Sequence, residues 1–250
     1  MISLEGSVAW VTGAGSGLGR VASRALRDAG ATVVLTSRGT EAIEAVAREL
    51  EDRGTPADTR AGSVADSDFV RSTVDWIADR HGRLDVLVNM AGINPVVRAS
   101  VDLSDDDWRD VIDVNLSGTF FCCREAGRVM LAQGGGSIVN VSSAHGSTAA
   151  VRMAAYGAGK GGVENLTRSL AVEWATSGVR VNCVAPGYFR TAMTDAYLNS
   201  PYGDAVRAST PMHRFGEPEE LGGVVVFLAS GQSSFMTGAI VTVDGGWTAQ

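Results

Sequence analysis

Ser7-Val-Ala-Trp-Val-Thr12 runs directly into Gly13-Ala-Gly-Ser-Gly17-Leu-Gly19, and this junction decides the fold. The first half is a short apolar run of strand type. The glycines permit a tight turn, and Val21, Ala25, Leu26 and Ala29 then recur at helical spacing until Gly30 closes the pattern. Strand, glycine turn and helix in that order give a G-x-G motif its meaning as a dinucleotide-binding fingerprint. Backbone N–H groups at the start of such a helix meet a pyrophosphate, which makes Gly13, Ser16, Gly17, Leu18 and Gly19 candidate cofactor contacts.

The next strand, Ala31-Thr-Val-Val-Leu-Thr-Ser37, ends in Ser37-Arg38. An acidic residue there would bind the 2′-hydroxyl of NAD ribose, whereas an arginine suits the 2′-phosphate of NADP. Neither position is acidic, so NADP(H) is the favoured cofactor. NAD(H) is the alternative, with Arg38 as a loop arginine stacked on adenine.

Strands and helices continue to alternate outward from this unit. An amphipathic helix is expected over 39–53, ended by Gly54, followed by a weak strand over 55–64 and a helix over 66–81. Leu84–Asn89 reads as a buried strand opening into Met90-Ala-Gly92. Ser104 caps a helix expected to run to about Ala132, and Asp105, Asp106 and Asp107 in its first turn suit the helix dipole rather than a metal. Inside that helix Asn115 is an amide among apolar neighbours and needs partners if buried. Ser137–Ser143 is a strand whose end delivers hydroxyls to the sheet edge where ligands bind, and a helix from 154 to 176 follows. After the strand Val179–Ala185 and Pro186-Gly187, the stretch 188–213 reads as irregular, a substrate lid carrying Tyr188, Phe189, Tyr197 and Tyr202. A helix to Ala229 and a strand over Ala239–Val243 complete the chain. The expectation is an α/β fold: a single domain over 1–250, built on one doubly wound, Rossmann-like parallel sheet with helices on both faces.

Within the 154–176 helix lies Tyr156-Gly-Ala-Gly-Lys160. Lys160 is the only lysine among 21 lysines and arginines, and it follows one of four tyrosines at a spacing that puts both on one helix face. A compact ammonium beside a phenol favours the phenolate and lowers its pKa, so the tyrosine can exchange a proton with a substrate oxygen. A planar guanidinium would have a different reach.

Bulk properties exclude several classes. A net charge of −7 argues against nucleic acid and anionic membrane as partners. No apolar stretch approaches a membrane span and the N-terminus does not read as a signal peptide. Cys122, Cys123 and Cys183 lack metal spacing and read as buried apolar residues in a reducing cytoplasm; no metal site is expected.

Taken together, Thr12-Gly13-x-x-x-Gly17-x-Gly19, Asn89-Met-Ala-Gly92, Asn115, Ser143, Tyr156-x-x-x-Lys160 and Pro186-Gly187 with Thr191 resemble the classical short-chain dehydrogenases/reductases over nearly the whole chain. Met90 replaces a usual asparagine, and Ser63 stands where the family commonly has an aspartate that contacts adenine. The resemblance implies reversible carbonyl reduction with Asn115, Ser143, Tyr156 and Lys160 as the catalytic set. Tyr156 would protonate the carbonyl oxygen and Ser143 would stabilise its charge. Lys160 would tune Tyr156 and hold the nicotinamide ribose, and Asn115 would hold a relay water. It further implies cofactor contacts at Ser63 and Val64, at Asn89, Ala91 and Gly92, and at Pro186, Gly187 and Thr191. It also implies a homotetramer, with the two long helices forming one interface and the last strand with Trp247 a second.

The substrate reading is a free small ketone or secondary alcohol, of keto-sugar, sugar-acid or cyclic-ketone type. Asn94, His145, Met153 and Tyr188 are pocket candidates; for His145 a loop-surface role is the alternative. A 3-oxoacyl-[acyl-carrier-protein] reductase is the second reading, weakened because 133–136 and 176–178 contain no basic residue to dock an acidic carrier, although Arg128 and Arg168 lie nearby. A catalytically idle cofactor-binding protein is the remote third.

Overall fold

Seven strands form one sheet in the computed structural model, which describes residues 2–51, 57–192 and 194–250. They are β1 (Val8–Thr12), β2 (Thr32–Ser37), β3 (Asp58–Ala61), β4 (Val86–Asn89), β5 (Gly136–Val141), β6 (Val179–Pro186) and β7 (Ile240–Val243). Their order is β3-β2-β1-β4-β5-β6-β7, and every neighbouring pair is parallel. The connections run one way from β1 to β3 and the other way from β4 onward. Ligand crevices of doubly wound sheets open at such a switch, beyond the carboxyl ends of the strands.

Helices cover both faces. On one lie α1 (Gly17–Asp28), α2 (Thr40–Glu51) and α9 (Glu219–Ala229), which bury Leu26, Ile43 and Leu221 against Val11, Leu35 and Val88. On the other lie α3 (Ser67–His81), α5 (Gly118–Gln133) and α6 (Ala154–Trp174), with Ile77, Met130 and Leu170 packed against Trp10, Leu87 and Ile138. Each fully buried Leu or Ile contributes about 1.5–3 kcal/mol relative to exposure. Strands covered on both faces read as continuous apolar runs, and all five residues of β1 are buried. Trp10 in that strand donates its indole N–H to the Thr36 hydroxyl at 2.9 Å, which satisfies a polar atom no water reaches. Among the described residues no helix is long and apolar enough to cross a membrane.

Two expectations need correction. The helix expected from Ser104 to about Ala132 is continuous from Asp105 to Gln133 but not α-helical throughout: α4 (Asp105–Ile112) passes through a π-helical turn over Asp113–Ser117 before α5 begins. The stretch 188–213 is not irregular, since it holds α7 (Asp195–Leu198) and α8 (Pro201–Ser209). The Ser200 hydroxyl accepts the Gly203 amide and Pro201 occupies the first turn, a start signal that was legible in the sequence. Leu198, Val206 and Phe215 then form a small apolar cluster with Tyr188. Residues 52–56, where the second helix was expected to end at Gly54 and the third strand to begin, lie outside the described residues.

Candidate active site

The carboxyl ends of β1, β4, β5 and β6 surround a cavity of about 860 Å³. Ligand pockets commonly measure about 300–1,000 Å³. At one end lie Gly13, Ser16, Gly17, Leu18 and Gly19, with Ser37, Arg38, Ser63 and Val64 beyond them. Ala91, Gly92, Pro186, Gly187 and Thr191 line its middle, next to Ser143, Tyr156 and Lys160. The candidate substrate residues Asn94, His145, Met153 and Tyr188 line it as well. Asn89 and Asn115 do not.

The glycine-turn end fits a dinucleotide. Ser16 precedes α1 in extended conformation without capping it through its side chain, and no acid stands in the first turn. By contrast Asp66 and Ser104 cap α3 and α4 with their own side chains. The first amides of α1 are thus open to an anionic ligand, where the helix dipole favours one. The turn tolerates no side chain: a Cβ on Gly13 would lie 2.7 Å from the Ala91 backbone, and one on Gly19 would lie 2.1 Å from the Gly13 carbonyl. Arg38 is exposed, and no ion pair engages it among the described residues. None of the described lining residues is acidic. A second anion beyond the pyrophosphate is therefore matched by Arg38. Ser63 uses its hydroxyl locally, accepting the Ala65 amide at 3.2 Å.

The proton-transfer groups meet where β5 ends. Ser143 is buried and extended, accepts the His145 amide at 3.2 Å, and lines the cavity together with Tyr156. One helical turn beyond Tyr156, Lys160 is 5% exposed and donates to the Val141 carbonyl at 2.8 Å. Its ammonium lies 5.8 Å from the Tyr156 ring centroid. Burial pulls the Lys160 pKa down to about 8, with the nearby Cys183 opposing. Here the structure departs from expectation: the Tyr156 phenol is raised above its ordinary value, not lowered. Burial penalises the phenolate, and only the Ser143 hydroxyl works the other way. The ammonium is directed to Val141 rather than to the phenol oxygen.

Asn115 sits within the π-helical turn, fully buried. Its Oδ1 accepts the Ile93 amide at 2.8 Å and its Nδ2 donates to the Ile93 carbonyl at 2.9 Å. Turns of this type concentrate at functional positions, and this one aims an amide at the loop segment that carries Asn94. With both side-chain atoms engaged by Ile93, Asn115 meets the cavity wall from behind. Asn89 also lies outside the cavity lining. It is buried, donates to Asn140 Oδ1 at 2.9 Å, and Asn140 donates in turn to Thr167 at 2.9 Å. That chain ties β4, β5 and α6 together beneath the site.

At the substrate end His145 is 7% exposed, and its Nε2 lies 3.0 Å from the Tyr188 hydroxyl. Tyr188 continues to the Tyr202 hydroxyl at 3.1 Å. Burial pulls the His145 pKa down, so the ring is neutral near pH 7, and drives those of Tyr188 and Tyr197 far up. Of the two roles open to His145, the buried lining position excludes the loop surface. Tyr197 and Tyr202 line the cavity too, brought in by α7 and α8. Trp247, expected at a subunit interface, packs edge-on against His145 and Tyr188 at 5.3 and 5.6 Å. Nothing local signals that contact. Sequence reading also missed Glu164, buried and accepting the Ser142 hydroxyl at 2.9 Å, although its place one turn after Lys160 was a signal.

A family model described as an enoyl-(acyl carrier protein) reductase matches residues 13–248. Galactitol 2-dehydrogenase of Rhizobium johnstonii is 43% identical over 248 residues, 98% of this chain and 96% of that protein. Cis-4-hydroxycyclohexanecarboxylate dehydrogenase of Sinomonas cyclohexanicum is 44% identical over 242 residues, 97% and 96% of the two chains. The crystal structure of a gluconate 5-dehydrogenase from Burkholderia cenocepacia in complex with NADP and tartrate aligns with a TM-score of 0.95 at 37% identity, covering 99% of this chain and 97% of that one. Such similarity spans both the glycine turn and the Ser143–Tyr156–Lys160 cluster, and the chain belongs to the short-chain dehydrogenase/reductase family.

Proposed function

We propose that the protein is an NADP(H)-dependent oxidoreductase that interconverts a small ketone and its secondary alcohol. The observation that carries this is the meeting of Ser143, Tyr156 and the buried Lys160 on one cavity large enough for a dinucleotide and a small substrate. When bound, the nicotinamide supplies hydride in reduction and accepts it in oxidation. Tyr156, held protonated by burial, donates to the carbonyl oxygen in reduction and takes the proton back in oxidation. Ser143 donates a hydrogen bond to the charge developing on that oxygen. The Lys160 ammonium, 5.8 Å from the Tyr156 ring centroid, offsets the phenolate left behind.

Arg38 and the absence of acidic lining residues support NADP(H), the cofactor bound in the Burkholderia relative. The relatives' named substrates, a sugar alcohol and a cyclic hydroxy acid among them, support a free small molecule. A carrier-bound acyl chain is disfavoured because Arg128 is engaged by Asp75 and Glu125, and Arg168 lies 3.7 Å from Glu164. The chain acts as one catalytic domain with α7 and α8 as its lid, in the cytoplasm, where three buried unpaired cysteines are at home. Exposed Phe120, Val172 and Phe235 favour a homotetramer; a monomeric mass by light scattering would refute that.

The test is a panel of ketones and secondary alcohols followed at the nicotinamide absorbance with both cofactors. Turnover with NADPH, lost in Tyr156→Phe, is expected. No turnover of any compound with either cofactor would sink the proposal.

A further inference from the structure

The substrate end of the cavity has a composition that narrows the substrate class, on the footing of the reaction proposed above. We infer that the substrate is an electrically neutral ring, a cyclic ketone or its secondary alcohol, and that carboxylated and open-chain polyol analogues are rejected.

Charge is the first reason. Among the described residues that line the cavity only Arg38 and Lys160 carry charge. Arg38 stands at the far, glycine-turn end, and Lys160 is buried and directed to the Val141 carbonyl. His145 is uncharged near pH 7 and already holds Tyr188 through Nε2. A carboxylate entering here would lose its hydration without gaining a cation, which is unfavourable for any buried ion. Arg152 lies between the lining residues Val151 and Met153, but it is exposed and does not line the cavity. Arg207 on α8 is exposed and paired with Asp204 at 2.8 Å.

Shape and polarity are the second. His145, Tyr188 and Trp247 interlock edge-on with centroids 5.3–5.6 Å apart, and Tyr197 packs on Tyr188 at 6.4 Å. Val151 and Met153 supply further apolar surface. Rings and aliphatic faces of this kind suit the C–H face of a compact ring. The hydroxyls of Tyr188 and Tyr202 are bonded to one another, so Asn94, the Tyr197 hydroxyl and the remaining capacity of the Tyr202 hydroxyl are the main polar partners at this end. A polyol with a hydroxyl on every carbon would bury several of them unpaired.

The test uses a matched pair, 4-oxocyclohexanecarboxylate and its methyl ester, with cyclohexanone, galactitol, gluconate and S-acetoacetyl-N-acetylcysteamine as further arms. The wild-type enzyme is expected to favour the ester over the acid in kcat/KM by about 100-fold or more at pH 7, since a site that leaves a buried group unpaired rejects strongly. Val151→Arg, at an exposed position on the wall, should shrink that ratio about tenfold by supplying the missing cation. Acid and ester turned over alike, or galactitol, gluconate or the open-chain thioester preferred to cyclohexanone, overturns the inference while leaving the reaction intact. Turnover of none of them with either cofactor removes the reaction and this inference with it.

Discussion

The Lys160 ammonium donates to the Val141 carbonyl at 2.8 Å, joining the helix that bears Tyr156 to the last residue of β5. A Cβ added to Gly92 would lie 3.4 Å from the same nitrogen, so Lys160 is confined between a strand end and a glycine. The confinement is steric as well as electrostatic, and a guanidinium keeps the charge but not the shape.

Lys160→Arg should therefore lower turnover by about 10²–10⁴ while far-UV circular dichroism stays that of the wild type. Steady-state rates decide it. Retention of more than about a tenth of the rate would mean that positive potential alone suffices.

The pH profile should follow Tyr156. Oxidation needs the phenolate, whose formation burial opposes, so the oxidation rate climbs with pH on the alkaline side. Because the Ser143 hydroxyl is what lowers this pKa, Ser143→Ala should move the oxidation limb to higher pH and let reduction persist further into alkali. A limb that moves to lower pH contradicts the assignment.

Cofactor choice should turn on Ser37 and Arg38. A charge-assisted contact to a 2′-phosphate is worth about 1.5–3 kcal/mol, roughly 10- to 150-fold. Ser37→Asp combined with Arg38→Leu should reverse the ratio of kcat/KM for NADPH over NADH. Equal use of both cofactors by the unmodified enzyme would show that Arg38 does not discriminate.

Gly146→Ala probes the Ser142–Glu164 contact. Its Cβ would come within 2.3 Å of Ser142 Oγ and 2.4 Å of Glu164 Oε1, so this buried hydrogen bond must open. Overpacking and the lost bond together should cost about 1–3 kcal/mol. Thermal melting should fall by roughly 2–4 °C per kcal/mol in a chain of this size. An unchanged melting temperature would mean that the loop yields freely.

The α7–α8 segment should close over bound ligand. Tyr202 on α8 meets Tyr188 on the rim, so Tyr202→Phe should speed proteolytic cleavage between 194 and 213, and NADPH with ketone should slow it in the wild type. Equal cleavage rates with and without ligand would argue for a fixed cover.

The sequence by itself determined the strand–turn–helix at the start, the alternation that builds one parallel sheet, and the pairing of Tyr156 with Lys160, while Ser143 joined them through the family resemblance. Those features are local: strand and helix periodicities span a few residues, and a spacing of four sets two side chains on one helix face. The lid helices were also legible, in Ser200-Pro201, but an aromatic-rich stretch read as irregular hid them. Tertiary structure alone decided that Asn89 and Asn115 brace the cavity from behind, that Trp247 backs His145 and Tyr188, and that Tyr156 is raised rather than lowered. Each of these depends on what a side chain is buried against. Burial sums contributions from strands and helices far apart in the chain, and desolvation can then outweigh the neighbour that spacing alone predicts.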